Sequence, residues 1–139
     1  MSEAVHIYDA GYLACGEAPA TCDPSGFTAS TGPVRANLVE FFAGMAAQGM
    51  YFGPGDEPEI LSIGELRPGA TAEAADVDVC IWSTGVVYGP PGPDGNPTVV
   101  NDEKTTLRFT YRLVRQAERW IVSEEIPGDS VVGANACTA

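Results

Sequence analysis

The stretch from Thr105 to Ile126, TTLRFTYRLVRQAERWIVSEEI, leaves the chain little conformational choice: it reads as a long β-hairpin. Leu107, Phe109, Tyr111 and Leu113 alternate with Thr106, Arg108, Thr110 and Arg112. That period of two belongs to a strand with one face buried and one wet. Simple alternation in the return arm puts Trp120, Val122, Glu124 and Ile126 on one face, with Ile121, Ser123 and Glu125 opposite. Arg115 to Glu118 supply a short polar turn between the arms.

A chain of 139 residues is the length of one domain, and the whole of 1–139 is expected to form it. Seven Lys and Arg against nineteen Asp and Glu give a formal charge of −12, which repels phosphate backbones and anionic bilayers. Nucleic acid is thereby excluded as a natural partner. No apolar run reaches the roughly 18 residues that span a bilayer.

The four cysteines allow three pairings. Cys15 with Cys22 closes a local loop, and Cys80 with Cys137 ties the C-terminal tail to a strand, so this pairing is expected. Such bonds persist mainly outside the cytosol. The chain then reads as the mature part of a secreted or surface-anchored protein, with Met1 supplied after a leader was removed; four buried thiols in a cytoplasmic protein are the alternative.

Ahead of the hairpin, Ala4, Ile7, Tyr8, Gly11, Tyr12 and Cys15 recur at helical spacing. A second helix is expected to be capped by Ser30 or Thr31, with Pro33 in its first turn, Val34, Leu38, Phe41, Phe42 and Met45 as its buried stripe, and Gly49 ending it. Ile60 to Leu66 reads as a strand and Thr71 to Tyr88 as a longer one bent near Gly85. Gly89 to Pro97, GPPGPDGNP, reads as a protruding irregular loop, and Pro127 and Gly128 as the end of the sheet. The layout is α+β: a curved antiparallel sheet of about four strands wrapped around two or three N-terminal helices.

This order of elements, together with LACGEAPATCDP, VCIWSTGVVY, VVNDEKTTLRFTYRLVRQAERWIVSE and a terminal cysteine, resembles the cystatin-like, cone-shaped superfamily of nuclear transport factor two, ketosteroid isomerase and the SnoaL-like cyclases. Within it the chain is similar to small exported or lipid-anchored actinobacterial proteins. The resemblance implies a curved sheet with helices in its concavity and a pocket between them. It implies no single activity, because the fold hosts enzymes, carriers and interaction modules.

In ketosteroid isomerase-like sites a tyrosine hydroxyl stabilises an oxyanion while a carboxylate moves the proton. Here the resemblance makes Tyr8 or Tyr12, one helical turn apart, the candidate hydroxyls and Glu124 or Asp78 the candidate acids. Glu124 interrupts an apolar face, where burial would raise its pKa. Asp78 shares a face with Cys80 and Trp82, and either that face or the one of Val77, Val79 and Ile81 is the core. Trp82, Phe41, Tyr111 and Trp120 are the candidate lining of an apolar pocket. The ordinary alternatives are a solvated Glu124 and tyrosines that merely edge the core.

His6 is the only histidine, which excludes a multi-histidine metal centre, and the acidic groups at Asp56, Glu57, Glu59, Asp102 and Glu103 match no calcium loop. No dinucleotide, phosphate-loop, nucleophile-elbow or zinc-protease motif occurs, and no cofactor is implied. Two readings follow: a non-catalytic domain binding a small apolar molecule or a protein partner, and a small isomerase, cyclase or hydratase. A homodimer through the face of Arg108, Thr110 and Arg112 is a further possibility.

Overall fold

A computed structural model describes residues 1–137 and contains two α-helices and two antiparallel sheets. Helix α1 spans Ser2–Glu17 and α2 spans Val34–Ala47, with single 3-10 turns at Pro19–Thr21 and Pro24–Gly26 between them. The strands are β1 (Tyr51–Gly53), β2 (Ile60–Pro68), β3 (Ala74–Ser83), β4 (Val86–Pro91), β5 (Pro97–Asn101), β6 (Thr105–Gln116) and β7 (Arg119–Val132). The larger sheet runs β2-β3-β6-β7 and the smaller β1-β4-β5.

The alternation read in β6 and β3 sets the core. Val77 faces Tyr111 across the ladder, Val79 faces Phe109 and Ile81 faces Leu107, all on the inner side. Both helices pack against β7, and α1 also lies against β1. Leu113 and Val122, paired across β6 and β7, are wholly buried beside Tyr8, Phe42 and Val5. Burying each aliphatic side chain of this kind contributes about 1.5–3 kcal/mol.

Several boundaries differ from the expected ones. Pro33 occupies the N-cap of α2, while Ser30 and Thr31 reach elsewhere: the Ser30 N–H donates to Gln116 Oε1 (3.0 Å) and Gln116 Nε2 donates to Ser30 Oγ (3.0 Å). These residues latch the α2 entry to the hairpin tip. That tip is a two-residue turn, Ala117 and Glu118, both at positive φ as a type I′ turn requires. The stretch read as one strand from Thr71 to Tyr88 breaks at Thr84 and Gly85 and continues in the second sheet. GPPGPDGNP is not an irregular protrusion. Pro91 pairs with Pro97, and only Gly92–Asn96 forms the turn, closed by a Gly92 N–H to Asn96 carbonyl bond. Pro90 and Pro91 lie at the end of β4 beyond its pairing with β1, and Pro97 opens the edge strand β5, positions that tolerate proline. Strand β7 also passes through Pro127 and Gly128, because an irregularity between Leu107 and Phe109 absorbs them without ending the pairing.

Both expected disulfides are present, Cys15–Cys22 and Cys80–Cys137. The second fastens the tail across the outer face of the larger sheet. There Thr106 Oγ1 accepts from the Ala136 N–H (2.9 Å) and Arg108 donates to the Ala136 carbonyl (2.7 Å).

Candidate functional site

A second irregularity decides what the inner face presents. Between Arg112–Glu124 and Leu113–Val122 the register shifts, so Ser123 is an extra residue on β7. Its hydroxyl donates to the Arg112 carbonyl. The Ala29 N–H takes the Val122 carbonyl (2.8 Å), and a Cβ at Gly32 (φ +83°) would stand 2.5 Å from the Ser123 carbonyl oxygen. Simple alternation is reset at this β-bulge. Glu125, opposite Tyr111, turns inward, and Glu124, opposite Arg112, turns outward.

Inward of that point lies a cavity of about 460 Å³. Helix α1 contributes Tyr8, Asp9, Tyr12, Leu13 and Glu17 to it. Strand β1 contributes Phe52 and Gly53, the segment after it Pro54, Gly55 and Glu57 to Glu59, and the β3–β4 corner runs along it from Ser83 to Val87. Leu107, Phe109, Tyr111 and Glu125 form the sheet wall. The aromatic rings are in mutual contact: Tyr8 meets Tyr111 edge-on at 5.0 Å between centroids, Phe109 stacks on Tyr111 at 5.7 Å, and Tyr12 lies 5.7 Å from Phe52.

The polar part of the wall is almost all carboxyl and phenol. Tyr8 donates its hydroxyl proton to Glu125 Oε2 at 2.6 Å. Burial raises the Glu125 pKa, and the Tyr8 hydrogen bond opposes that rise only in part. Burial, then the Glu125 charge, pushes the Tyr8 phenol far above its ordinary range. Glu59 is raised to about 7, mainly by burial and secondly by Asp9. Asp9 is itself raised by burial, with His6 working against the shift. Tyr12 rises to about 12, first through burial and then through Glu125, Glu59 and Asp9. Burial likewise raises Tyr111, ahead of the Glu125 charge.

Of the residues singled out in the sequence, Tyr8, Tyr12 and Tyr111 lie on this wall. Glu124 does not: it faces out beside Arg112, 3.5 Å away, because the bulge shifts its parity. Asp78 also faces out, since Val77, Val79 and Ile81 are the core set. Arg67 grips it bidentately (2.6 and 2.8 Å) and Thr110 donates to it (2.9 Å), holding its carboxyl below the usual range. Trp82 is on the outer side, its indole N–H donating to Glu57 Oε1 (2.6 Å). Trp120 packs on the core toward the hairpin tip. Phe41 is half exposed on α2, stacked on Tyr12 rather than lining the cavity.

Glu125, Asp9 and Glu59 are the acids that sequence reasoning passed over. Asp9 had a usable signal, its helical spacing of three from Tyr12; Glu59 sits in an aperiodic segment and had none. Among the described residues no three His, Cys, Asp or Glu side chains are placed to hold a metal ion. Asp56 and Glu57 instead share Lys104, at 2.6 and 2.8 Å. Across the outer face Arg108 and Arg112 pair with Asp129 and Asp76. No helix among the described residues is long and apolar enough to cross a membrane.

No family model and no curated protein matches the chain. Among solved structures, the crystal structure of the intermembrane space region of the chloroplast protein ARC6 is similar, with a TM-score of 0.68 and 13% identity over 94% of this chain and 91% of that one. At that identity the likeness is one of fold.

Proposed function

We propose that the chain is an exported, non-catalytic binding domain on a cone of the nuclear transport factor two type, and that its cavity takes a small, largely apolar molecule. The observation carrying this reading is the cavity itself, about 460 Å³ between α1 and the larger sheet and walled by Tyr8, Tyr12, Phe52, Phe109 and Tyr111. Binding sites for small molecules are typically concavities of roughly 300–1,000 Å³ with apolar walls and a few convergent polar groups. The two disulfides support an oxidising compartment. The helices against the inner side of a bulged sheet support the cone.

One observation favours the acid/base alternative, the Tyr8–Glu125 pair in the cavity wall. An enzyme of the isomerase, cyclase or hydratase type would use that pair rather than Glu124 or Asp78. Native mass spectrometry of the protein taken from its producing cell distinguishes the readings. A bound small molecule released on denaturation, absent from a Leu13→Trp variant that fills the cavity, and returned unchanged after incubation with fresh protein is the expected result. Conversion of the released molecule would move the assignment to an enzyme, and a wild-type protein with nothing bound would remove the pocket reading.

A further inference from the structure

We propose that the molecule this cavity takes carries a positively charged head, an amine or quaternary ammonium, on an aromatic or alkyl body. The inference rests on the binding reading above and adds the ligand's chemical class. Three partly enclosed carboxyls, Asp9, Glu59 and Glu125, line one wall, and among the described residues that wall contains no Lys, Arg or His side chain. The acids of the outer face are treated differently: Asp78, Asp76 and Asp129 each hold an arginine. Glu57 at the rim is likewise occupied, by Lys104 and the Trp82 indole. Glu125 has a phenol donor in place of a cation, and neither Asp9 nor Glu59 forms an ion pair among the described residues.

The rest of the wall suits the same ligand. Faces of tyrosine and phenylalanine attract ammonium groups through the ring quadrupole, most strongly where water is excluded. An anionic head would meet π-faces and ionisable carboxyls with no basic side chain to balance its charge. A neutral body alone would fill the aromatic part and gain nothing from the ionised form of the acids.

Binding of a cation would also draw protons off the wall. Burial raises the pKa values of Asp9, Glu59 and Glu125, and an ammonium group beside them lowers them again. The groups that face these carboxyls are Tyr8, Tyr12, Glu17 and His6 from α1, Tyr111 from β6, Glu57 from the segment after β1, and Lys104, which reaches Glu57 from the β5–β6 connection. The phenols stay protonated, so the carboxyls are the source of the released protons.

The test compares two isosteres on the full-length, disulfide-bonded protein: benzyltrimethylammonium and neopentylbenzene, which differ in a charged nitrogen against a neutral carbon. Isothermal titration at pH 7 in two buffers of different ionisation enthalpy reads affinity and proton release together. The ammonium compound is expected to bind about tenfold tighter or more, with net proton release and with affinity falling as pH drops below 6. Glu59→Gln and Asp9→Asn should each lower its affinity several-fold and leave the neutral isostere unaffected, with circular dichroism confirming an unchanged fold. Equal binding of the two, or tighter binding of the neutral one, overturns the cation assignment and leaves the pocket reading standing. Binding of neither overturns both.

Discussion

Asp78 and Glu125 belong to one sheet and face opposite ways, and their surroundings push them in opposite directions. Asp78 stands in water's reach with a bidentate arginine and a threonine hydroxyl, so its charged form is favoured. Glu125 lies partly enclosed among aromatic rings, and that burial raises its pKa against the opposing hydrogen bond from Tyr8. The outer face is electrostatically complete within the chain: its arginines, its acids and the returning tail satisfy one another. The inner face is not, and the unbalanced side of a sheet is where a ligand contributes most.

The largest expected effect concerns what holds the outer face closed. Replacing Cys80 and Cys137 by alanine together opens a 57-residue loop and should cost about 4 kcal/mol in urea denaturation, against about 2–3 for the seven-residue Cys15–Cys22 loop in the chain-entropy account. Amide exchange at Ala136 should accelerate at the same time, since Thr106 then has no fixed tail to bond. Similar costs for the two pairs would show that the tail contributes nothing through the loop it closes.

Tyr8→Phe comes next and probes the inner side. It leaves Glu125 enclosed without a donor, a change expected to cost about 1–3 kcal/mol. The Glu125 titration, followed by carbon NMR, should move further up, because the hydrogen bond from Tyr8 is what now opposes burial. A downward shift would mean that water reaches the carboxyl once the phenol is gone.

The two faces should also give stability slopes of opposite sign with pH. Glu59 has its folded pKa raised from 4.5 to about 7, so the native state holds the proton more tightly than the unfolded chain. Its contribution is fully present below pH 4.5 and is lost as pH rises toward 7. Allowing for solvent screening, the loss is about 1–2 kcal/mol, and Glu59→Gln should flatten it in denaturation curves collected between pH 4 and 8. Asp78 has its folded pKa lowered, so its contribution is present above pH 3.8 and disappears as pH falls through the folded value. Asp78→Asn should flatten that acid limb by about 0.5 kcal/mol or less, as expected for a half-exposed ion pair. Slopes of the same sign for both variants would collapse the distinction between the faces.

Much of the architecture was legible from the side-chain period alone. Val77, Val79 and Ile81 on β3, and Leu107 to Leu113 on β6, face inward as their alternation requires, and the cysteine pairing followed from loop and tail positions. The identity of the acid on the wall was not legible. Glu124 or Glu125 is chosen by the Ser123 bulge, and that bulge is held by Ala29 and Gly32, far away in sequence. Ser30 and Thr31 look like helix caps locally, yet Gln116 claims Ser30, another preference decided by a distant residue. The proline-rich hairpin was hidden for the converse reason: Pro and Gly discourage strands on average, but a peripheral pair of strands forgives them.

Two glutamates stand side by side just beyond the extra serine on β7, and adjacent residues on a strand point to opposite sides. A strand that straightened at Ser123 without losing a residue would swing Glu124 into the cavity and send Glu125 toward Arg112. The cavity would keep an acid and the arginine would keep a partner. The duplicated glutamate therefore acts as a spare: the sheet wall keeps its carboxyl through a one-residue slip that would remove it from a chain with a single acid there. Removing the carboxyl from the sheet wall in either register calls for changing both, and Asp9 and Glu59 would remain.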